Sequence, residues 1–390
     1  MRCDLLIVGA GPAGCAAAVA ARRAEPRLKV AVIDAHRFPR EKLCGGAITG
    51  GGLRELELGG LALRVPHVVA SHAALRAGGH TTRLELSRPA VVVCRADFDA
   101  DLVAQARAAG AQVLEEIALQ AVEGAVAVTA QGAIRFRALI GADGVSGASR
   151  RALGLPLGRL VPLRKRLLAS AGQRDLFFDL EAGLPGYVWR FPCLHGGRVC
   201  ESLGAYSFGR SIDLDGVLAR YADREGLPTG QTGYGAIRVF EPGGPVGKGN
   251  AVLVGEALGI DPLAGEGIRY ALWSGRTAGR LVAWALARGD TLSLEAYRRQ
   301  LFLSRSGVLL ELGTRLASRL YGPDPRWCRA AADRRVAGRI AALVSGELPA
   351  LPLLWLLGRL SAVAARRVST IVASSAGSAG RLRRKSRRTE

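Results

Sequence analysis

Asp4-Leu5-Leu6-Ile7-Val8-Gly9-Ala10-Gly11-Pro12-Ala13-Gly14-Cys15-Ala16-Ala17-Ala18 is the stretch from which the fold is read. Leu5 to Val8 has the length of a buried strand and stops at Gly9. Gly9, Gly11 and Gly14 keep a G-x-G-x-x-G spacing, and an Ala-rich helical run follows to about Ala24. The first glycine permits a tight turn. The second lets a diphosphate approach the backbone, and the third lets the helix pack close to the strand. The helix start at Pro12 and Ala13 presents unpaired N–H groups and a positive dipole end to phosphate. A second strand, Val30 to Ile33, ends in Asp34 and Ala35, where a carboxylate can accept both ribose hydroxyls of an adenosine. The spacing alone also fits a Gly/Ala turn that merely packs a helix on a sheet. Strand, helix and acid in succession point to a dinucleotide.

The 390-residue chain is 49% hydrophobic, enough for a large core and, at this length, for two intimately joined domains. It carries 54 Lys and Arg against 33 Asp and Glu, a formal net charge of +21. Such a field favours an anionic partner: nucleic acid, a lipid surface or an acidic small molecule. No nucleic-acid motif is present and aromatic residues are sparse, so no nucleic acid is expected, but a membrane surface or an anionic substrate is. Seven cysteines without C-x-x-C pairs or Cys/His clusters predict neither a disulfide framework nor a metal site, which fits a reducing cytoplasm. With a strand starting near residue 4, no signal peptide is expected. No run of about 18 uncharged apolar residues predicts a spanning helix.

His36 to Leu53 is a basic, glycine-rich stretch without strand or helix periodicity, containing Lys42, Cys44, Gly45 and Gly46. Such glycine density signals close backbone approach to another group. Cations just ahead of Cys-Gly-Gly point to a cofactor or substrate contact rather than a plain surface loop. Residues 67–93 are expected as strands, followed by a helix over Phe98–Ala109 capped by Asp97 and closed by Gly110. A strand over Val122–Thr129 comes next. Another ends at Ile140, and Asp143-Gly144 then makes a tight turn whose carboxylate can bond a polyol hydroxyl. Residues 160–240 read as strand-like. In Gly186-Tyr187-Val188-Trp189-Arg190-Phe191-Pro192 three aromatics alternate and so share one face, either as core or as the wall of an apolar pocket.

Ala251 to Val254 runs into Gly255-Glu256-Ala257-Leu258-Gly259-Ile260-Asp261-Pro262-Leu263-Ala264-Gly265-Glu266-Gly267-Ile268, and a helix follows to about Arg288. This is the third strand–turn junction that sets a glycine beside an acid. Three of them, spread over most of the chain, read as one cofactor gripped at three places. The rest is helical. An apolar stretch, Leu348 to Leu360, is expected to be helical from about Pro352. With the basic tail from Arg381 it has the composition of an interfacial anchor to anionic lipid.

The three junctions resemble, in order, those of flavoprotein hydroxylase-type FAD enzymes, over roughly residues 1–290. Within that superfamily, Pro39-Arg40-Glu41-Lys42-Leu43-Cys44-Gly45-Gly46, Gly186–Pro192 and Pro262–Ile268 resemble the geranylgeranyl reductase family, flavoenzymes that saturate isoprenoid C=C bonds. The resemblance implies an α/β fold. A Rossmann-like FAD-binding domain (1–66, 94–158 and 241–290) would interleave with an antiparallel-sheet substrate domain (67–93 and 159–240). C-terminal helices (291–376) and a basic tail (377–390) would follow. It also implies FAD in an extended pose. Gly9, Gly11, Pro12, Ala13 and Gly14 would hold the diphosphate, and Asp34 with Ala35 the adenosine ribose. Leu119 would meet adenine through its backbone, and Arg95 would approach the diphosphate or ribityl region. Asp143, Gly144 and Glu256 would serve the ribityl chain, with Lys42, Cys44, Gly45 and Gly46 in the loop near the flavin. The amides of Gly265, Gly267 and Ile268 would stabilise negative charge on the reduced ring. Two residues depart from the family pattern: Glu256 where Asp is usual, and Asp261 where an amide side chain is usual. These bear on the substrate subgroup rather than on FAD.

The implied reaction saturates an isoprenoid chain on a lipid, quinone or diphosphate. An isolated alkene has no carbonyl to absorb charge, so protonation at one carbon must accompany hydride from flavin N5. That demands a dry, apolar site with a positioned acid. Cys44 is the first candidate near the alkene, as an orienting group or as the acid, and Tyr187 and Trp189 would shape the prenyl tunnel. No second dinucleotide fingerprint is present, so NADPH or another reductant would bind transiently. The expected partners are an isoprenoid or lipid substrate and, peripherally, the anionic inner face of the membrane from the cytoplasm. Two alternatives stay open: an FAD monooxygenase using O2, and a peripheral flavoprotein passing electrons to a quinone. The absence of a Trp-x-Trp-x-Ile-Pro run counts against the halogenase branch of the former.

Overall fold

The opening stretch folds as read: strand β1 (Leu5–Val8), helix α1 (Pro12–Ala24) and strand β2 (Val30–Ile33), with both strands fully buried. A computed structural model describes residues 1–169, 172–208, 212–228, 230–322 and 330–347. The expected anchor helix from Pro352 and the basic tail lie outside the described residues. Among those described, no helix is long and apolar enough to cross a membrane.

Two sheets carry the architecture. In the first, β1 lies centrally, between β10 (Ala138–Gly141) and β2, with parallel register Leu5↔Ala138 and Leu5↔Val30. β6 (Gln112–Leu114) extends it beyond β2, and β17 (Ala251–Leu253) and β16 (Gly247–Lys248) beyond β10. Strands buried on both faces read as continuous apolar runs, and helices must cover them. One cover is α1 itself. Another is α6 (Ile268–Arg288), which crosses α1 with no room for side chains between. A Cβ at Gly275 would lie 2.1 Å from Ala13 O, and one at Gly279 2.1 Å from Ala17 O. Gly279→Val therefore forces the two helices apart. It is expected to cost about 3 kcal/mol, read as a lowered denaturant midpoint.

The second sheet has the order β15 (Gln231–Arg238), β11 (Leu160–Ala169), β14 (Arg198–Ser207), β13 (Gly186–His195), β12 (Leu176–Asp179), β4 (His67–Ala77), β5 (His80–Val93), β3 (Ala47–Ile48). It is antiparallel apart from the β12–β4 pair. Strand β13 is buried on both faces. Val188 packs with Leu203 and Ala205 under Leu214, Val217 and Leu218 of helix α5 (Leu214–Glu225). That leaves Tyr187, Trp189 and Phe191 on the opposite face. The chain is thus an α/β protein in which a Rossmann-like, largely parallel sheet interleaves with an antiparallel one. Helices α7 (Leu294–Phe302), α8 (Arg305–Leu320) and α9 (Arg334–Ser345) follow.

The structure corrects several local expectations. The His36–Leu53 stretch is not all loop. It contains β3 and the start of helix α2 (Gly50–Gly59), because the Thr49 hydroxyl accepts the Gly52 amide and caps it. Helix α3 spans Arg95–Ala108 with Cys94 at its cap, so Asp97 is a first-turn acid rather than the cap. The expected strand over Val122–Thr129 is a hairpin, β7 (Leu119–Glu123) and β8 (Val126–Thr129), folded at Gly124 with φ +60°; β9 (Gly132–Arg135) completes a small third sheet. Asp143-Gly144 opens a single 3-10 turn before the short helix α4 (Ala148–Ala152). Residues 160–240 are not strands throughout, since α5 interrupts them, capped by Asp213 through the Gly216 amide.

Candidate active site

A single cavity of about 640 Å3 runs from the first glycine loop to the aromatic strand β13. Its polar end is built on the three strand–helix junctions. Gly9, at φ +104°, touches the end of β10: a Cβ there would lie 2.4 Å from Ala142 O. Gly14 lies behind the cavity wall; a Cβ there would lie 1.8 Å from Gly9 O, so its lack of a side chain keeps α1 close to β1. At Gly11, by contrast, the nearest atom to such a Cβ is Arg40 Nη2 at 3.4 Å. Gly11, Pro12 and Ala13 line the cavity at the start of α1.

Asp34 is also part of the turn. Its Oδ2 accepts the Ala10 amide at 2.7 Å and its Oδ1 the His36 amide at 2.9 Å, which aims the carboxylate into the cavity beside Ala35. Leu119 lines the same end, next to Ile117 and Ala118. Arg95 makes a paired contact with the fully buried Asp99, Nε to Oδ1 at 2.8 Å and Nη2 to Oδ2 at 2.7 Å. Arg40 reaches the same carboxylate at 3.4 Å. One acid therefore holds two guanidiniums against the glycine loop.

At the second junction, Asp143 Oδ2 accepts the Ser149 amide at 3.0 Å, while its buried Oδ1 has no hydrogen-bond partner among the described residues. Gly144 lines the cavity beside it. At the third, Glu256 is engaged by Lys42 Nζ at 3.2 Å and by the Arg238 amide at 3.3 Å. The longer acid thus bridges the Cys44 loop to the third junction. Cys44 Sγ accepts the Gly46 amide at 3.3 Å, and Gly45 sits against the Phe191 ring, where a Cβ would lie 2.9 Å from it. An orphaned acceptor at Asp143, a Gly11 whose absent side chain would meet only the end of Arg40, and a helix N-terminus with cavity-lining arginines form a donor–acceptor set that fits a polyol diphosphate.

The other end is apolar. Tyr187, Trp189, Phe191, Phe178, Tyr206 and Tyr321 form one aromatic cluster, with Phe178 edge-on to Tyr187 at 5.4 Å and to Phe191 at 5.2 Å. Trp189 lies flat over Gly204, and its Nε1 donates to Ser202. The three tyrosine hydroxyls are committed to successive carbonyls of the third junction. Tyr206 donates to Pro262 O, Tyr321 to Leu263 O and Tyr187 to Ala264 O. Asp261 accepts the Leu263 and Ala264 amides at 3.0 and 2.9 Å. The loop leading to Gly265, Gly267 and Ile268 is therefore fixed from both sides. Burial pushes the Tyr187 phenol well above its ordinary range, and its hydroxyl is engaged in holding the loop through Ala264 O.

Where the two ends meet lies Glu266, almost fully buried. The Thr49 hydroxyl donates to its Oε1, and Oε2 is 3.5 Å from Arg269 Nη1. Burial pushes this carboxyl up to about 7, against the opposing pull of Arg269 and Thr49. The sequence reading missed Arg40, Asp99, Thr49, Glu266, Tyr206 and Tyr321. A usable signal existed for Asp99, one helical turn after Arg95. Thr49 before a helix start is another.

Residues 2–160 match the FAD binding domain family. A menaquinone reductase of Mycolicibacterium smegmatis is 31% identical over 361 residues, covering 79% of this chain and 84% of that protein. A digeranylgeranylglycerophospholipid reductase of Methanoculleus marisnigri is 29% identical, with coverages of 79% and 84%. Among solved structures, a geranylgeranyl bacteriochlorophyll reductase-like protein of Thermoplasma acidophilum superposes with a TM-score of 0.75 at 21% identity, covering 89% of this chain and 96% of that one. With the cavity's donor set and these similarities together, the chain belongs to the geranylgeranyl reductase family of FAD-dependent oxidoreductases.

Proposed function

We propose that this enzyme saturates carbon–carbon double bonds in a prenyl chain, that of a quinone first and of a lipid or diphosphate next. The observation that carries this reading is the cavity itself. Its apolar aromatic walls begin where the Cys44–Gly46 and Gly265–Ile268 loops end, so a flexible hydrocarbon can lie dry against the reacting end of a bound flavin. The names of the relatives support the substrate class: one reduces menaquinone, another a digeranylgeranyl phospholipid.

Gly11, Pro12, Ala13 and the α1 N-terminus would hold the diphosphate, with Arg95 and Arg40 balancing its charge. Asp34 and Ala35 would take the adenosine ribose, and Leu119 the adenine edge. Asp143 and Gly144 would serve the ribityl chain, Asp143 through its free Oδ1, while the Glu256–Lys42 pair closes the loop over it. When bound and reduced, by NADPH or another transient donor, the flavin supplies hydride. The chain's part is to exclude water, align the alkene and deliver a proton. Phe191, Trp189 and Phe178 exclude water, and the Cys44 loop borders the alkene. The amides of Gly265, Gly267 and Ile268, at the start of α6, stabilise negative charge beside them.

The test is anaerobic. The flavoprotein is reduced, offered a prenylated lipid or quinone, and the product is weighed. A gain of two hydrogens per saturated bond is expected. Reduction of a quinone ring without change in its tail would identify an electron carrier, and oxygen incorporation in an aerobic run a monooxygenase. Trp189→Ala removes part of the wall that faces Gly45. It is expected to raise KM for the prenyl substrate about tenfold, ~1.4 kcal/mol, with flavin absorbance unchanged.

A further inference from the structure

We infer that Glu266 is the proton donor to the alkene, with Thr49 and Arg269 as its positioning residues; this rests on the prenyl-reductase reading above. Saturation needs an acid that reaches the dry part of the cavity and is protonated at neutral pH. The other acids lining the cavity are placed for other work. Asp34 is bound into the first turn, Glu41 is exposed to solvent, Asp143 lies at the second junction and Glu256 is paired with Lys42. The Tyr187, Tyr206 and Tyr321 hydroxyls are spent on carbonyls. Cys44 Sγ accepts the Gly46 amide, and a thiol is in general a far weaker acid than a carboxyl.

Glu266 differs from all of these. It sits between Gly265 and Gly267, the turn that opens α6, and lines the cavity beside Thr49. One oxygen is fixed by the Thr49 hydroxyl. The other is buried, 3.5 Å from Arg269, and meets no hydrogen-bond partner of good geometry among the described residues. Arg269 is itself held, donating to Val344 O at 3.1 Å and lying 4.9 Å from the Tyr270 ring centroid. The charged and titratable groups around the acid are Arg269 and Tyr270 of α6, Asp261 of the preceding turn and, beyond Arg269, Glu55 of α2. Burial outweighs Arg269 and leaves a carboxyl that titrates near neutrality. Arg269 then stabilises the carboxylate left behind.

The step balances as follows. The C=C π bond breaks and two C–H bonds form. One hydrogen leaves the Glu266 carboxyl as a proton, and the other arrives as hydride from the reduced flavin, which is oxidised by two electrons. Glu266 is left as a carboxylate and regains its proton from solvent before the next turnover.

Two readouts test this. In the first, geranylgeranyl diphosphate is the probe, offered anaerobically to reduced holoenzyme. Wild type is expected to saturate it at a rate falling tenfold per pH unit above about 7. Glu266→Gln is expected to keep its FAD and react at least 100-fold more slowly, and Glu266→Asp to recover part of the rate. The second readout needs no substrate. The infrared band of a protonated carboxyl in the oxidised holoenzyme should titrate near pH 7 and vanish in Glu266→Gln. Thr49→Val removes a donor to the carboxylate, so the band and the pH limb of the rate should move upward together. That variant keeps the inference testable should Glu266→Gln not fold. Wild-type turnover in a flavin-loaded Glu266→Gln, a missing band, or an unmoved midpoint in Thr49→Val overturns the assignment. A titrating band in an enzyme that saturates no prenyl probe overturns the functional reading, and the donor role with it.

Discussion

Gly11→Val is expected to yield a folded, colourless protein. The three glycines of the first loop look equivalent in sequence but face different neighbours. A side chain at Gly9 or Gly14 collides with backbone, Ala142 O at 2.4 Å and Gly9 O at 1.8 Å, so substitution there damages the sheet or the strand–helix junction itself. At Gly11 the backbone is extended, with φ −73°, and the nearest atom is the flexible end of Arg40. Valine therefore fits the fold and fills only the space a diphosphate needs. FAD affinity should fall on the order of 100-fold or more, ~2.7 kcal/mol. The circular dichroism and denaturant midpoint of the apo-protein should stay within about 1 kcal/mol of wild type. A yellow Gly11→Val protein would place the cofactor elsewhere. A misfolded one would mean that Gly11, too, is a packing residue.

That contrast shows what was legible beforehand. The G-x-G-x-x-G spacing names a local strand–turn–helix, and local chemistry suffices for it: an apolar strand, a helix start and an acid after the next strand. The alternation of Tyr187, Trp189 and Phe191 likewise predicts a shared face, because strand periodicity is strict. Helix α2 was hidden. Gly50, Gly51 and Gly52 are poor helix formers. They are tolerated because the helix start lies against α6, where a Cβ at Gly51 would come within 3.0 Å of Arg269. Helix α5 was hidden for a different reason. It sits in a strand-like region, and only the Asp213 cap and its buried face against β13 and β14 make it a helix. The site's decisive pairs were beyond reach for a third reason. Thr49 and Glu266 lie 217 residues apart, and Lys42 and Glu256 lie 214 apart. No periodicity links such pairs. They exist because two sheets bring the Cys44 loop and the third junction to one cavity.

Asp99→Ala is expected to produce the largest loss of stability among the polar residues in and behind the cavity wall. Asp99 is fully buried and serves two cations: Arg95 through two hydrogen bonds, and Arg40 at 3.4 Å. Both guanidiniums are largely buried as well. Removing the acid leaves two mutually repelling charges out of water, and breaking such a buried arrangement costs about 3–5 kcal/mol. Arg95→Ala should be milder, because Asp99 then keeps Arg40 as its partner and no uncompensated cation remains. For FAD the order reverses. Arg95→Ala deletes a cation from the diphosphate end and should weaken binding roughly tenfold or more, ~1.4 kcal/mol. In Asp99→Ala the diphosphate itself supplies negative charge to both arginines, so added FAD should recover part of the lost stability. Denaturant unfolding of each variant with and without FAD reads both effects. A larger FAD-induced stabilisation in Asp99→Ala than in wild type is the expected signature. Equal stabilisation in both would mean that Asp99 holds the α3 start together without tuning the cofactor's charge. The sign follows from a single carboxylate shared by two arginines, which leaves the apo cavity one net positive charge at the place where an anion must land.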